Sequence, residues 1–404
     1  MIKNICFIMG ISLERMVLPL QLKIKKKNDF LILGSLCNND LLLASQLTKM
    51  GFKIKIIRYR SEVDKLEDIL LDDLGIDRKI ITIYETKLSF IKECFSSRVI
   101  FNFSGSLVFF LGKYLFLLKF YFFPPVISYI TGSDLMEEPF QKNLISRLYR
   151  FLFKNSYLLC LVPMKSYIAA LKKLHIDRIS FVRHPFLILK DKKIKKQKIK
   201  DTSKIIFAHI SNIDWGESDN KAYRESTKGS DKFIRAFIRA SRQFSNIKCI
   251  ILDRGPDAIN AKKIIEAANC SAFDWFPPCS QGELYKIFDK ADVIIDQFDL
   301  GAFGGIAIEG MSYGKSLLTY ADDLYLKGMF YNDTPPIFNA SSENEILEKI
   351  TYIAENPNIL KDIGIKSKEW VIRNYDNSIN FIDIFTMLDS KYGFNFLSKC
   401  LKKK

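Results

Sequence analysis

The glycines at 301, 304 and 305 and the carboxylate of Glu309 are spaced for phosphate and ribose chemistry. They belong to the stretch 296–320, DQFDLGAFGGIAIEGMSYGKSLLTY, which follows the apolar run ADVII at 291–295. That run reads as a buried strand, and Gly301, Gly304 and Gly305 read as a turn. Ile306 to Tyr313 then reads as a helix stopped by Gly314, and 316–320 as the next strand. A strand, a glycine turn and a helix in this order offer unpaired amides and the positive end of a helix dipole, which suit a phosphate. Glu309 falls about five residues into the helix, roughly 7 Å along its axis. A carboxylate at that height is too far for the phosphate but can accept from two hydroxyls of a ribose. The plain alternative is a turn followed by a solvated helix residue.

Composition bounds the rest. A chain of 404 residues, 48% hydrophobic and 26% charged, is globular and long enough for two or three domains. Its net charge of +16 calls for an anionic partner: nucleic acid, anionic lipid or a phosphate-bearing substrate. No nucleic-acid recognition motif is present, so that partner ranks last. The eight cysteines form no CxxC pair, and with three histidines they give no metal-ligand spacing. Scattered single cysteines suit a reducing cytoplasm. Residues 1–20 carry Lys3, Glu14 and Arg15 and do not read as a signal peptide. No uncharged apolar run reaches the ~20 residues that span a bilayer.

The elements that would position the chemistry alternate strand and helix. Residues 1–28 read as an extension ending in a basic tract. Asp29 to Ser35 reads as a strand, with Gly34 and Ser35 at its C-terminal end, where α/β folds hold ligands. Asn38, Asn39 and Asp40 can cap a helix over 41–50, and 53–59 reads as a second strand. Further strands are expected at 80–84, 98–103, 126–130 and 157–162. The stretch 107–123, LVFFLGKYLFLLKFYFF, is the most apolar of the chain. As a helix it is either a core crossover whose lysines reach out or an interfacial helix on a membrane surface. Ser128 to Leu135 is a strand running into a turn at Gly132. Ser133 or Asp134 either caps the next helix or, in the functional reading, Asp134 faces a cleft. The basic stretch 190–204 reads as a linker, 205–210 as a strand, 228–231 (KGSD) as the start of a helix over 232–240, and 247–252 as a strand. His209 at a strand end is a candidate base, though a structural histidine is the commoner case.

GSDL (132–135), HISN (209–212), KGSD (228–231) and FGGIAIEGMSYGKSLLTY (303–320) occur in an order that resembles the group-1 (family 4) retaining glycosyltransferases. The resemblance covers about residues 29–375. It implies an α/β chain of the GT-B fold, with two Rossmann-like domains facing across a cleft: 29–189 on the acceptor side and 205–375 on the nucleotide-sugar side. Residues 376–404 would follow as a helical tail. The resemblance implies a donor site made by Lys228, Phe303, Gly304, Gly305, Ile306 and Glu309, with Arg224 or Arg254 as the accompanying arginine and Ser211 nearby. Gly34, Ser35 and Ser133 would lie on the acceptor side, with Asp134 as the candidate catalytic carboxylate. The donor would be a nucleotide-diphosphate sugar, with no metal required. The acceptor would be a lipid-linked or cell-surface glycan precursor, and the enzyme would sit on the cytoplasmic face of an anionic membrane. The first glutamate of the family's E-x7-E pattern falls on Gly301, with Asp299 as a nearby substitute. That departure opens the alternative of a non-catalytic subunit that binds nucleotide-sugar or glycan.

Overall fold

The apolar runs of the sequence become two parallel sheets. In the computed structural model the described residues are 26–34, 38–64, 66, 68–120, 123–184, 204–216, 227–375 and 381–401. The first sheet comprises β1 (Asn28–Leu33), β2 (Ile54–Arg58), β3 (Ile81–Ile83), β4 (Ser97–Phe103), β5 (Val126–Tyr129), β6 (Leu158–Leu161) and β7 (Ile179–Phe181). Its strand order is 3-2-1-4-5-6-7. The second comprises β8 (Ile205–His209), β9 (Ile247–Leu252), β10 (Phe273–Phe276), β11 (Val293–Ile295), β12 (Ser316–Thr319) and β13 (Phe338–Asn339), in the order 10-9-8-11-12-13. Continuous runs such as FLIL and VII are buried end to end, as strands covered on both faces must be.

In both sheets the strand order reverses once, between β1 and β4 and between β8 and β11. At such a point the two neighbouring crossovers leave in opposite directions and open a crevice at the strands' C-terminal ends. Register sets what lines it. Leu33 pairs with Asn102 in the first sheet, and Ile295 with His209 in the second.

The helices that matter for these crevices are α1 (Asn39–Lys49), α2 (Leu144–Asn155), α3 (Lys165–Leu174), α4 (Ser230–Ser241), α5 (Gly305–Ser312), α6 (Asp323–Phe330) and α7 (Ile359–Asn374). The last two, α8 (Ile382–Tyr392) and α9 (Phe396–Leu401), return to the first sheet. Phe385 and Phe396 lie 5.9 and 4.9 Å from the ring of Phe30 on β1. The segment expected as a tail therefore completes the first sheet's core.

Several expectations shift. The stretch 107–123 is a short α-helix, Leu107–Leu111, followed by a 3-10 turn, Gly112–Lys119, and residues 121–122 lie outside the described residues. Gly112 at φ +52 ends the α-helix, and Leu107, Val108, Phe110, Leu111, Leu115 and Leu117 are buried, so most of the stretch is a core crossover. Asn38 precedes α1 in a left-handed conformation and makes no side-chain cap. Asp40 instead receives both a 2.6 Å and a 2.5 Å bond from Arg58 on β2, a buried ion pair. The strands β7, β10 and β13 escape the sequence reading; none of them is buried end to end. Most of the 190–204 linker lies outside the described residues.

Close packing holds α5 in place. A Cβ on Gly310 would lie 2.7 Å from Ile294 Cγ1 of β11, and one on Gly364 of α7 would lie 2.2 Å from the carbonyl oxygen of Gly314. The helix ends in a Schellman turn, in which the N–H of Lys315 donates to Gly310 and that of Gly314 to Met311. Backbone cannot yield as a side-chain tip does. Gly364→Ala should therefore cost about 1–3 kcal/mol in urea unfolding; an unchanged midpoint would show that α5 and α7 do not meet this closely.

Candidate functional site

The crevice between β8 and β11 gathers charge from three loops. His209 ends β8 and is fully buried, its ring stacked 5.7 Å from Phe233 of α4. Asp296 follows β11 directly and is 1% exposed. Lys228, half-buried, precedes α4. Burial, with Lys228 adding its charge, pushes the His209 imidazole down to about 4. Burial also raises the Asp296 carboxyl, opposed by Lys228 and by the Gly304 amide.

Asp296 organises the glycine turn. Its Oδ2 accepts from the Gly304 N–H at 2.6 Å, and a Cβ on Gly304 would lie 2.8 Å from its Oδ1. Only glycine lets the backbone come so close. Gln297 braces the same turn, donating to the Ala302 carbonyl. Its own carbonyl accepts from Thr319 Oγ1 at 2.9 Å. Gly304 is the N-cap of α5, so Gly305 and Ile306 open the helix and its first-turn amides lack intrahelical acceptors. Glu309 is half-buried, four residues after Gly305, about 6 Å further along the axis. Phe303 turns the other way: it is 7% exposed and packs edge-on to Tyr325 and Trp370 at 5.3 and 6.1 Å, beneath the turn.

Lys228 is held beside this turn by a lattice of bonds. Its N–H donates to Asp214 O at 3.1 Å, and its carbonyl accepts from Phe298 N at 2.7 Å. Gly229, at φ +63, lies against the Asp299 carboxylate, which a Cβ there would approach to 2.7 Å. Asp299 accepts from Thr227 Oγ1 at 2.7 Å and from Lys232 Nζ at 2.6 Å. The carboxylate suggested as a substitute for the missing glutamate is thus engaged in tying the Lys228 loop to the glycine loop.

Gly301 has φ +69, and a Cβ there would lie 3.2 Å from Asp322 Cβ, Cγ and Oδ2. A glutamate at 301 would be strained and would start against another carboxylate. Asp322, 8% exposed, caps α6 through Oδ1, which accepts from Tyr325 N at 2.8 Å. Its Oδ2 lies 3.7 Å from Lys165 Nζ on α3, which follows the first sheet's β6. The sequence reading gives no role to Asp296 or Asp322; the available signal was a carboxylate just beyond each apolar strand.

The remaining candidates scatter. Ser211 is buried and donates to Asp296 O at 3.3 Å. Arg254 is exposed, its carbonyl accepting from Ile213. Arg224 and Ser35 lie outside the described residues. In the first sheet's crevice Gly34 has φ +95, and a Cβ would lie 2.6 Å from Ser106 Oγ. Ser133 opens a single helical turn, Ser133–Met136. Asp134 is buried, and its Oδ1 accepts from the N–H groups of Thr131 and Gly132 at 3.1 and 2.8 Å. Burial pushes its carboxyl up to about 6 against those bonds. Its carboxylate is turned onto the loop before that helical turn, whose N-cap is Gly132 and which has no side-chain cap. Among the described residues no group of three or more His, Cys, Asp or Glu is arranged to hold a metal ion, and no helix is long and apolar enough to cross a membrane.

Residues 222–370 match the family described as glycosyl transferases group 1. A comparison with curated proteins gives no match. Among solved structures, the chain resembles a TarM variant of S. aureus in complex with Fondaparinux, alpha-GlcNAc-glycerol and UDP. The TM-score is 0.54 at 14% identity, over 74% of this chain and 57% of that one. The chain thus spans little more than half of TarM. It resembles Anabaena HepE in complex with UDP and glucose with a TM-score of 0.63 at 12% identity, over 90% of this chain and 100% of HepE. A glycosyltransferase from Rickettsia africae gives 0.61 at 15% identity, over 90% and 98%. The two sheets are those of the GT-B fold.

The buried His209 carries a pH consequence. The unfolded chain takes up this proton below about pH 6.5, whereas the fold refuses it until about pH 4. Stability from this ring is therefore full above pH 6.5 and lost as pH falls toward 4, by about 3 kcal/mol. In urea unfolding at pH 7.5 and pH 5, His209→Phe should lose less stability on acidification than the wild type. Equal losses would show that His209 protonates freely in the fold.

Proposed function

For this GT-B chain, whose residues 222–370 match the group-1 glycosyltransferases, we propose transfer of a sugar from a nucleotide-diphosphate donor to a lipid-linked or cell-surface glycan precursor, with retention at the anomeric carbon. The observation that carries it is the convergence of Lys228 and the α5 N-terminus on the crevice between β8 and β11. When the sugar–phosphate bond breaks, negative charge grows on the β-phosphate. A lysine and fixed amides in a sheltered crevice can stabilise that charge with no metal required. Glu309 accepts from the ribose hydroxyls. Uridine is the base favoured, since HepE and TarM were each solved with UDP.

Asp322 takes over the role left open at Gly301. Its carboxylate lies beside the Gly301 α-carbon, and Lys165 reaches it from the first sheet's side. A donor sugar beside this pair would meet one acceptor and one donor group. The alternative reading, a subunit that binds nucleotide-sugar without turnover, draws on the same glycine.

A membrane surface at the acceptor side is supported by exposed apolar groups next to cations. Leu144 and Ile145 at the start of α2 are 70% and 42% exposed, and Phe109 is 53% exposed. Lys113, Lys142 and Arg147 are exposed nearby in sequence. Each basic residue close to an anionic bilayer adds about 1 kcal/mol. This supports work at the cytoplasmic face, and nucleic acid is not proposed as a partner.

Hydrolysis or transfer across a panel of UDP-sugars tests both carboxylates. Asp322→Ser keeps the α6 cap but removes the charge, and should lower kcat by about 100-fold while UDP binding changes little. Glu309→Ala should instead weaken UDP itself by about tenfold or more. Turnover by Asp322→Ser at the wild-type rate would remove Asp322 from the site. UDP binding with no turnover by the wild type on any donor would favour the non-catalytic subunit.

A further inference from the structure

Strand polarity sends the crevices of both sheets to the C-terminal ends of the strands, and a second concentration of charge lies at the opposite end of the first sheet. Lys26 and Lys27 precede β1, Lys53 precedes β2, Arg98 lies near the start of β4, and Lys399 lies on α9. These five cations line one surface pocket of about 260 Å³, with Asp29 as its single carboxylate. The β1 strand between this pocket and the crevice is six residues long, about 20 Å. The pocket is therefore no part of the first sheet's crevice, and none of its lining residues belongs to the donor site of the second sheet.

Asp29 is already engaged. Its Oδ2 accepts from the Lys53 N–H at 2.9 Å and from Lys399 Nζ at 3.0 Å, and its Oδ1 lies 3.8 Å from Arg98 Nε. Lys26 Nζ is fixed on the Ser97 carbonyl at 2.9 Å. Among the described residues the pocket holds four more cations than carboxylates, and like charges gathered there focus a field on an incoming anion. The floor is rigid: Phe396 packs 4.9 Å from Phe30, and Lys399 lies 4.7 Å over the ring of Phe52. Side chains from residues 26 to 399 are brought together only by the fold, because α9 closes the pocket from the far end of the chain.

We propose that this pocket is a second anion site, distinct from the donor crevice, that binds a phosphate group, free or as a phosphate ester. Lysine and arginine present only donors, and a guanidinium matches the tetrahedral oxygens of a phosphate. The exposed apolar residues at 109, 144 and 145 follow the C-terminal ends of their strands, so one flat bilayer cannot cover both that edge and this pocket. This favours a soluble phosphate over a lipid headgroup, although the recognition chemistry is shared.

Calorimetric titration of the full chain with inorganic phosphate, and sedimentation with phosphatidylglycerol or phosphatidylcholine vesicles, test the site. The variants are K53Q/R98Q in the pocket, K172Q/K173Q on the exposed face of α3 with the same charge removed, and K228A in the donor crevice. Phosphate affinity should fall about tenfold or more in K53Q/R98Q alone. With the donor crevice filled by saturating UDP, phosphate should still raise the melting temperature of the wild type but not that of K53Q/R98Q, whose own cooperative melt shows that it is folded. Loss of phosphatidylglycerol binding in K53Q/R98Q, with no phosphate binding by the wild type, would assign the site to a lipid headgroup. Phosphate binding lost in K228A and kept in K53Q/R98Q would overturn the pocket and leave the donor crevice intact. Equal losses in K53Q/R98Q and K172Q/K173Q, or no binding of either probe by the wild type, would overturn it as well.

Discussion

The Asp299 carboxylate is the constraint on which the candidate site depends. It binds Thr227 on the Lys228 loop and Lys232 in the first turn of α4, while belonging to the loop that leads into α5. Gly229 lets it lie against the backbone, and the Phe298 N–H donates to the Lys228 carbonyl alongside. Two loops about 70 residues apart in sequence are thereby fixed as one surface. Without that link, Lys228 would sit on a long polar loop with its ammonium free to wander. With it, the cation stands next to the glycine turn that Asp296 holds from below. A cation and a set of amides already in position cost no reorganisation when charge develops between them.

Electrostatics inside the crevice are finely opposed. Asp296 and His209 are buried, and burial drives each toward its neutral form; Lys228 and the Gly304 amide oppose this at Asp296, whereas Lys228 reinforces it at His209. Lys228 thus helps keep His209 unprotonated, which leaves His209 no stored proton to give near neutral pH. The ring's place against Phe233 is that of a packed wall. A basic chain of this kind also needs its excess charge arranged. Part stands at the crevice, part beside exposed apolar residues, and part in the pocket closed by α9.

Much of this was legible in the residues. Long β-branched runs announce buried parallel strands, and the glycine turn before Ile306 announces a helix N-terminus; both follow from local chemistry. What was not legible depends on distance in space. Gly301 reads as a lost carboxylate, yet its left-handed backbone and the Asp322 carboxylate beside it arise only when β12 pairs with β11. Asp299 reads as a spare acid until α4 brings Lys232 to it. The stretch 107–123 reads as one apolar helix, but Gly112 adopts a left-handed turn because the chain must drop from β4 back to β5. The end of the chain reads as a tail because nothing local tells Phe385 and Phe396 that Phe30 awaits them.

The central claim is that the donor diphosphate rests at the C-terminal ends of β8 and β11. A crystal structure of the full chain grown with UDP measures this most directly. The diphosphate is expected within hydrogen-bond reach of the Lys228 ammonium and the first-turn amides of α5, with the ribose hydroxyls at Glu309. Diphosphate bound over the first sheet, or away from both Lys228 and α5, would contradict it.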